Sequence, residues 1–484
     1  MKYRSTRGGA PLAGAAEAIV RGIAPDGGLY VPCEIPSLRA QEVYGLSYAQ
    51  TAAKVLGLFL EEYEPELLLG AAQEVYGTGF SGRAGYVRPV EEGLYALELW
   101  HGPTCAFKDY ALQLMPRLLV EAKRILGDTR TTEILVATSG DTGKAALAGF
   151  AGLPGIKIAV FYPSHGTSEV QRLQMVTQEG ENVAVYAIRG NFDDAQTGVK
   201  RAFASEELRG WLAARQTALS SANSINWGRL VPQIVYYFYC YAQLVQAGKV
   251  PDGAAVDFCV PTGNFGDILA GWYAKQMGLP VGRLVCASNR NDVLTQFLST
   301  GVYDAKRPFY KTSSPSMDIL VSSNLERLLY HITQDGSRVS GWMQTLAQAG
   351  RYEVPQAVLC RIRQDFACAS ADDDAAAQTL RDVWRRTGYL MDPHTAVAYG
   401  ATCRNMRGGV PCVVLSTASP YKFPSAVLAA LGQAVPDSEF EAMHALVSLT
   451  GLDAPQSLAG LRDKPVRFAG AIEKDGVAQA ARLL

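Results

Sequence analysis

The stretch that organises this chain runs from residue 101 to residue 110 and reads HGPTCAFKDY. The apolar run Leu94–Trp100 before it predicts a strand, and the amphipathic run Ala111–Ile125 after it predicts a helix. A Gly-Pro pair breaks regular structure between them, so Lys108 is expected near a helix start, beside a turn, where its amine can face a cleft. A lysine amine is a good nucleophile only when burial or a nearby cation lowers its pKa, so taken alone Lys108 is an ordinary surface lysine.

The composition is that of a globular enzyme with more than one domain. The 484 residues are too many for a single core, and 48% of them are apolar against 19% charged. A net charge of −1 gives no attraction to nucleic acid or to an anionic membrane, so we expect neither as a partner. The apolar runs are too short to cross a bilayer, and the first residues lack the apolar segment of a signal peptide.

Cysteine and histidine are scattered rather than clustered. The nine cysteines form no C-x-x-C pair, and the five histidines show no ligand spacing such as H-E-x-x-H. We therefore expect reduced core cysteines, no bound metal and a cytoplasmic location.

Alternating strand and helix patterns follow Leu94. Strands rich in Val and Ile, each followed by a helix, indicate parallel sheets covered on both faces. Predicted strands lie at residues 133–137, 157–162, 183–188, 255–260 and 283–287, and predicted helices at 143–151, 168–178, 193–203, 229–246 and 265–277. We predict a mostly helical N-terminal domain (1–95), a small α/β domain with Lys108 (96–215) and a large α/β domain (216–484).

Three loops follow predicted strands at the sheet edge where ligands bind. Residues 138–144 (TSGDTGK) combine glycines, hydroxyls and helix-start amides, which suit an anion; because Ala145 follows the lysine, they are not a nucleotide-binding P-loop. Residues 261–267 (PTGNFGD) suit a phosphate, and residues 416–420 (STASP) offer uncharged hydroxyls. Each loop alone fits an ordinary helix-capping turn, but together with Lys108 they match what a pyridoxal phosphate enzyme requires.

The motifs resemble those of the threonine synthases, which are pyridoxal phosphate enzymes of fold type II. The resemblance covers almost the whole chain. It rests on residues 3–8, 26–29, 101–109, 138–143, 221–226 (SANSIN), 263–267 and 392–398 (DPHTAVA).

The resemblance implies a role for each group of site residues. Lys108 would hold the cofactor covalently and later move protons. The cofactor phosphate would be bound by Gly263, Asn264, Phe265, Gly266 and Asp267, with Asp141 near the ring oxygen and Thr417 near the pyridine nitrogen. Thr138, Ser139 and Thr142 would receive the substrate carboxylate or phosphate, and Asn223, Ser224 and Arg229 the substrate phosphate.

The implied fold is α/β, with two parallel-sheet domains facing each other across the cofactor and a helical N-terminal domain beside them. The implied reaction converts O-phospho-L-homoserine and water to L-threonine and phosphate. The same site would also serve a phospho-lyase that releases a 2-keto acid. A non-catalytic binding protein is disfavoured because Lys108 and the three loops are intact.

Two residues depart from the pattern of similar proteins. Apolar neighbours favour a packing role for Cys105, and Lys144 is expected to point to solvent from its helix. We further expect a monomer. We also expect no response to S-adenosylmethionine, because plant relatives that respond to it carry an N-terminal extension.

Overall fold

The computed structural model describes residues 1–138, 140–165 and 167–484. The strands are β1 (Tyr3–Ser5), β2 (Tyr30–Pro32), β3 (Tyr86–Glu91), β4 (Leu94–Glu98), β5 (Thr131–Ala137), β6 (Ile156–Pro163), β7 (Val183–Ile188), β8 (Thr217–Ser220), β9 (Val256–Pro261), β10 (Val281–Ser288), β11 (Val302–Asp304), β12 (Arg351–Glu353), β13 (Phe366–Ser370), β14 (Cys412–Ser416) and β15 (Ala471–Ile472).

The α-helices fill the intervals between the strands. They are α1 (Ala15–Arg21), α2 (Tyr48–Phe59), α3 (Pro65–Gln73), α4 (Lys108–Leu112), α5 (Met115–Leu126), α6 (Asp141–Phe150), α7 (Glu169–Val176), α8 (Phe192–Ala204), α9 (Glu206–Ala213), α10 (Trp227–Gln246), α11 (Gly266–Gln276), α12 (Val293–Thr300), α13 (Leu325–Thr333), α14 (Gly336–Ala349), α15 (Gln356–Asp365), α16 (Asp373–Thr387), α17 (Pro393–Asn405), α18 (Pro424–Ala430), α19 (Glu439–Thr450), α20 (Gln456–Ala459) and α21 (Val477–Ala481).

Two mainly parallel sheets form the framework, as the sequence predicts. Among the described residues the larger sheet has six strands in the order β13-β10-β9-β14-β4-β3, with β3 as an antiparallel edge. The smaller sheet has five, in the order β15-β7-β6-β5-β8, and its pairs are parallel. The predicted α/β fold class is confirmed.

The two sheets interleave along the chain. The larger sheet includes β3, which lies before residue 96, and β4, which spans it. The smaller sheet includes β15, which lies near the C-terminus. The strands of each sheet therefore do not come from one consecutive range among 1–95, 96–215 and 216–484. The division of the chain into these three domains stays a prediction. Strand propensity alone does not reveal such pairings, because partners in a sheet are set by tertiary packing.

The helix predicted at Ala111–Ile125 is divided into α4 and α5. Pro116 lies in the first turn of α5, where its missing N–H costs no hydrogen bond. A new helix start at Met115 is what this proline favours, so the predicted single helix was wrong at this point.

The buried helix α10 joins the N-terminal helices to the larger sheet. The side chain of Asn226 caps its first turn by accepting a hydrogen bond from the N–H of Gly228 at 2.8 Å. Trp227 then packs its ring against Tyr3 and Phe59 with centroids 5.5 Å apart. These contacts fix the start of α10, and with it Arg229 in the first helical turn. In the part of the chain that the structure describes, no helix is both long and apolar enough to cross a membrane.

Candidate active site

Lys108 begins α4, where two loops meet. The N–H of Phe107 donates to the carbonyl of Thr417 at 2.8 Å, and Ala106 forms an antiparallel bridge with Ala418. This pairing brings the hydroxyl loop after β14 against the lysine segment that follows β4. The prediction that Lys108 lies at a helix start beside a turn is confirmed.

Asp109 holds the lysine segment in shape. Its carboxylate accepts hydrogen bonds from the backbone N–H of Thr104 at 2.8 Å and from the Thr104 hydroxyl at 2.7 Å. A Cβ atom at Gly102 would lie 2.6 Å from this carboxylate, so only glycine leaves room for it. The Gly-Pro pair therefore does more than break the strand, because it lets the Asp109 side chain fold back under the turn.

The amine of Lys108 is largely buried, with 12% of its side chain exposed. Its Nζ donates to Ser316 Oγ at 3.2 Å and lies 3.6 Å from Asp141 Oδ2. Burial lowers the pKa of this amine, Asp141 opposes the shift, and the cations of Lys422 and Arg229 lower the pKa further. A buried amine with a lowered pKa is the form that can act as a nucleophile or a base.

The carboxylate of Asp141 contacts three polar side chains of the site. Its Oδ1 accepts hydrogen bonds from Lys422 Nζ at 2.6 Å and Gln171 Nε2 at 3.0 Å, and its Oδ2 accepts from Ser316 Oγ at 3.0 Å. Burial alone would raise the pKa of this carboxyl, but Lys422 and then Lys108 outweigh burial and hold the pKa well below its usual range. Asp141 is therefore an anion beside the amine of Lys108.

The loop after β9 presents its backbone to the site. Within the described ranges, the N–H groups of residues 263–267 donate to no acceptor. A Cβ atom at Gly263 would lie 2.9 Å from the carbonyl oxygen of Ser316, so glycine is required where the two loops meet. Consecutive free N–H groups at the start of α11 suit a phosphate dianion.

The side chain of Asp267 turns away from that backbone. Its Oδ1 accepts hydrogen bonds from the hydroxyls of Tyr236 at 2.6 Å and Tyr237 at 3.0 Å, both on α10. Burial raises the pKa of this carboxyl to about 6, although the two tyrosines and Lys108 oppose the shift. Asp267 anchors the glycine loop to α10 and leaves only its N–H for an anion.

Arg229 is a buried cation that has no counter-ion among the described residues. Its Nη1 donates to the carbonyl of Ala222 at 2.6 Å, and its Nε has no hydrogen-bond partner among the described residues. In the same part of the chain, Arg229 takes part in no ion pair, and no carboxylate acts on the pKa of its guanidinium. Burial lowers the pKa of this guanidinium to about 10. An unpaired buried guanidinium is costly unless it receives an anion, so Arg229 is suited to a phosphate.

The other predicted substrate residues differ in what they offer. Thr138 Oγ1 accepts hydrogen bonds from the N–H groups of Gly140 and Gly143 at 3.0 Å, so this hydroxyl shapes the loop. Thr142 lies in the first turn of α6, Asn223 is exposed, and the carbonyl of Ser224 accepts from Asn324 at 3.2 Å. Ser139 lies outside the described residues.

Three residues that the sequence did not single out as site residues converge on Asp141 and Lys108. Lys422 pairs with Asp141, and Ser316 bridges Asp141 and Lys108. His394 accepts a hydrogen bond from the N–H of Ser316 at 3.1 Å. One signal in the sequence was available, since Lys422 is the single charged residue between Arg407 and Asp437.

The structure also shows the surroundings of Cys105 and Lys144, the two residues that depart from the pattern of similar proteins. Cys105 is buried and its thiol pKa is raised to about 11 by burial, which fits the predicted packing role. The prediction that Lys144 points to solvent was wrong. Its amine donates to Gln178 on the segment after α7, and burial lowers its pKa to about 8. Among the described residues, no group of His, Cys, Asp or Glu side chains could hold a metal ion.

The comparisons with known proteins agree with this geometry. A family model described as pyridoxal-phosphate dependent enzyme matches residues 86–417, and models for the threonine synthase N terminus and C-terminal region match residues 2–76 and 395–479. Threonine synthase from Pseudomonas aeruginosa is 42% identical over 90% of this chain and 91% of its own length. Threonine synthase from Saccharomyces cerevisiae is 36% identical over 89% of each chain.

Solved structures give the same result. The crystal structure of a threonine synthase from Brucella melitensis with bound pyridoxal phosphate superposes with a TM-score of 0.90 at 38% identity, over 100% of this chain and 99% of that one. The two parallel sheets, the buried lysine and the glycine loop define a pyridoxal-phosphate-dependent enzyme of fold type II. Within that class, the chain belongs to the threonine synthase family. The predicted family, enzyme class and cofactor are confirmed.

Proposed function

We propose that this chain converts O-phospho-L-homoserine and water to L-threonine and phosphate, with Lys108 as the catalytic residue. The observation that carries the proposal is the position of the Lys108 amine. It is buried, its pKa is lowered, and Asp141 and Arg229 supply an anion and a cation that both act on it electrostatically. The glycine loop at residues 263–267 supplies the free N–H groups for the phosphate of the cofactor.

The residues divide into cofactor and substrate groups. Lys108 would hold pyridoxal phosphate covalently, Asp141 would lie on the side of its ring oxygen, and Thr417 would lie on the side of its pyridine nitrogen. The cofactor phosphate is held by backbone N–H groups of Gly263, Asn264, Phe265, Gly266 and Asp267. The substrate carboxylate and phosphate are received by Thr138, Ser139, Thr142, Asn223, Ser224 and Arg229.

When bound, pyridoxal phosphate supplies an electron sink that acidifies the substrate carbon beside the amino group. Lys108 Nζ takes the proton from Cα and is the base assigned to the later proton at Cβ. Arg229 holds the departing phosphate at Cγ by charge-assisted hydrogen bonds. Buried surroundings around Lys108 exclude bulk water, so protons are returned to the substrate rather than lost.

Product analysis tests the proposal. Incubation of the purified chain with O-phospho-L-homoserine is expected to give equal amounts of threonine and phosphate. Release of phosphate with a 2-keto acid and no threonine would identify the phospho-lyase that the same site could serve. Lys108→Ala, with the exposed Lys249→Ala as its matched control, links either product to this site.

We also propose that the enzyme is a monomer and acts in the cytoplasm. The packing of the N-terminal helices supports the first part, because α1 contacts α5 and α2 contacts α10 within the same chain. Sedimentation at micromolar concentration tests it, and a stable dimer would contradict it. Fractionation of the source cells tests the location.

A further inference from the structure

The carboxylate of Asp141 lies between the amines of Lys108 and Lys422. The distances show that it pairs with Lys422, which is not the lysine assigned to the cofactor. Its Oδ1 lies 2.6 Å from Lys422 Nζ, whereas its Oδ2 lies 3.6 Å from Lys108 Nζ. The first distance is that of a charge-assisted hydrogen bond, and the second is too long for one. Lys108 instead donates to Ser316 Oγ, so the hydroxyl separates the amine from the carboxylate.

Burial and two hydrogen bonds hold the side chain of Lys422 in this position. Its side chain is 0% exposed, and its Nζ makes a second hydrogen bond to the carbonyl of Thr104 at 3.0 Å. The short helical turn at Pro420–Lys422 follows Ser419, whose hydroxyl accepts from the N–H of Tyr421 at 3.3 Å. A fully buried ammonium needs such partners, because an unpaired one would lose its proton or destabilise the fold.

We propose that Lys422 is a positioning residue for Lys108: its ammonium neutralises Asp141, so that the amine of Lys108 stays free to bind the cofactor and to accept substrate protons. This inference rests on the proposed function, in which Lys108 is the catalytic residue. Lys422 pairs with Asp141 and also acts electrostatically on the amine of Lys108. By the assigned roles it does not contact the substrate.

The charges around both lysines support this assignment. The amine of Lys108 interacts electrostatically with two carboxylates, Asp141 and Asp267, and with two cations, Lys422 and Arg229. With Lys422 and Arg229 both cationic, the surroundings of Lys108 carry no excess negative charge to hold a proton on its amine. Without Lys422, the Asp141 carboxylate would have Lys108 as its nearest cation, which would favour the ammonium form.

Among the described residues, no other cation pairs with Asp141 at the position of Lys422. Lys422 acts electrostatically on Asp141, Asp109, Lys144 and Cys105. Lys144 donates to Gln178, and the Asp109 carboxylate is occupied by Thr104. Cys105 is a neutral thiol because burial raises its pKa to about 11.

The test uses the full chain freed of cofactor and compares Lys422→Met with Lys422→Arg. The pH dependence of reductive methylation at Lys108, followed by peptide mass spectrometry, measures the fraction of neutral amine. We expect Lys422→Met to raise its midpoint by about one pH unit and to slow uptake of pyridoxal phosphate at pH 7 about tenfold. Lys422→Arg keeps the charge and should shift the midpoint by less than about 0.3 units.

A double variant separates this role from a purely structural one. Lys422→Met combined with Asp141→Asn removes both charges, and we expect it to return the midpoint to the wild-type value or below it. A Lys422→Met chain with an unchanged midpoint would overturn the proposal. If Lys422→Met does not fold, the double variant decides, because a midpoint that lies clearly above the wild-type value would exclude action through Asp141. Failure of the proposed function would appear separately, as a wild-type chain that makes no threonine.

Discussion

The backbone N–H of Ser316 donates a hydrogen bond to Nε2 of His394 at 3.1 Å. Because Nε2 accepts this bond, the ring proton lies on Nδ1, which donates to Asp392 Oδ2 at 2.6 Å. The neutral imidazole therefore fixes the loop whose next polar atom, Ser316 Oγ, bridges Lys108 and Asp141. Asp392, at the N-cap of α17, thus orients Ser316 beside the amine of Lys108.

His394→Ala is expected to lower both stability and turnover. It leaves the half-buried N–H of Ser316 and one buried Asp392 oxygen with fewer partners, at a cost of about 1–3 kcal/mol. Denaturant unfolding measures the first effect and kcat the second. The exposed His444→Ala is the matched control and should change neither quantity. Full stability with unchanged kcat would show that Ser316 keeps its place without the histidine.

Lys108→Ala is expected to abolish covalent attachment of pyridoxal phosphate and to reduce turnover to background. No neighbouring lysine can replace it, because Lys422 is engaged by Asp141 and Thr104. Borohydride reduction followed by peptide mapping locates the attachment in the wild type. Finding the reduced cofactor on another lysine, with near-normal rates, would assign the chemistry elsewhere.

The positions of the sheet strands and of Lys108 follow from patterns local in sequence. The predicted strands after Leu94 consist mainly of buried apolar residues, and such runs can be recognised from the local sequence alone. The break at Gly102, the N-cap glycine Gly140 of α6 and the first residue Gly266 of α11 are equally local. These features placed the lysine and the three loops on the correct edge of the sheets.

The polar partners of the site could not be predicted in the same way. Ser316 and Asp141 are 175 residues apart, and no local pattern marks the loop that brings them together. The prediction that Lys144 points to solvent was wrong because a helical pattern alone does not show which segment covers the helix. In the structure the segment that contains Gln178 covers Lys144. Long-range contacts of this kind depend on packing rather than on local propensity.

Cys105 is expected to resist alkylation although it lies three residues from Lys108. Burial raises the pKa of its thiol to about 11, so little thiolate exists at pH 8. Iodoacetamide should label Cys105 at least about a hundredfold more slowly than the exposed Cys360, and activity should persist once Cys360 is labelled. Comparable rates at the two cysteines would show that the site opens in solution.

Glu133 on β5 is expected to make stability depend on pH. The residue is 2% exposed, and burial raises its pKa from 4.5 to about 7, with Lys157 opposing the shift. Between these values the native chain binds a proton that the unfolded chain releases, so stability falls as pH rises from about 4.5 to 7 and stays lower above.

Glu133→Gln removes this titration. Its Tm should be a few degrees above that of the wild type at pH 8, and the difference should shrink as pH falls towards 5. The exposed Glu181→Gln is the control and should follow the wild type at every pH. A difference between Glu133→Gln and wild type that is independent of pH would mean that the pKa of Glu133 is the same in the native and the unfolded chain.

Arg229→Ala is expected to weaken substrate binding far more than cofactor binding. The guanidinium is buried, its Nε lacks a partner in the described part of the chain, and its position on α10 is fixed by the contacts of Trp227. A charge-assisted contact to phosphate contributes about 1.5–3 kcal/mol, so KM should rise about tenfold to a hundredfold. Titration with pyridoxal phosphate should give a Kd within about threefold of wild type, and the exposed Arg209→Ala should match wild type in both measurements. Equal losses of cofactor and substrate affinity would place Arg229 at the cofactor phosphate instead, and an unchanged KM would remove it from the site.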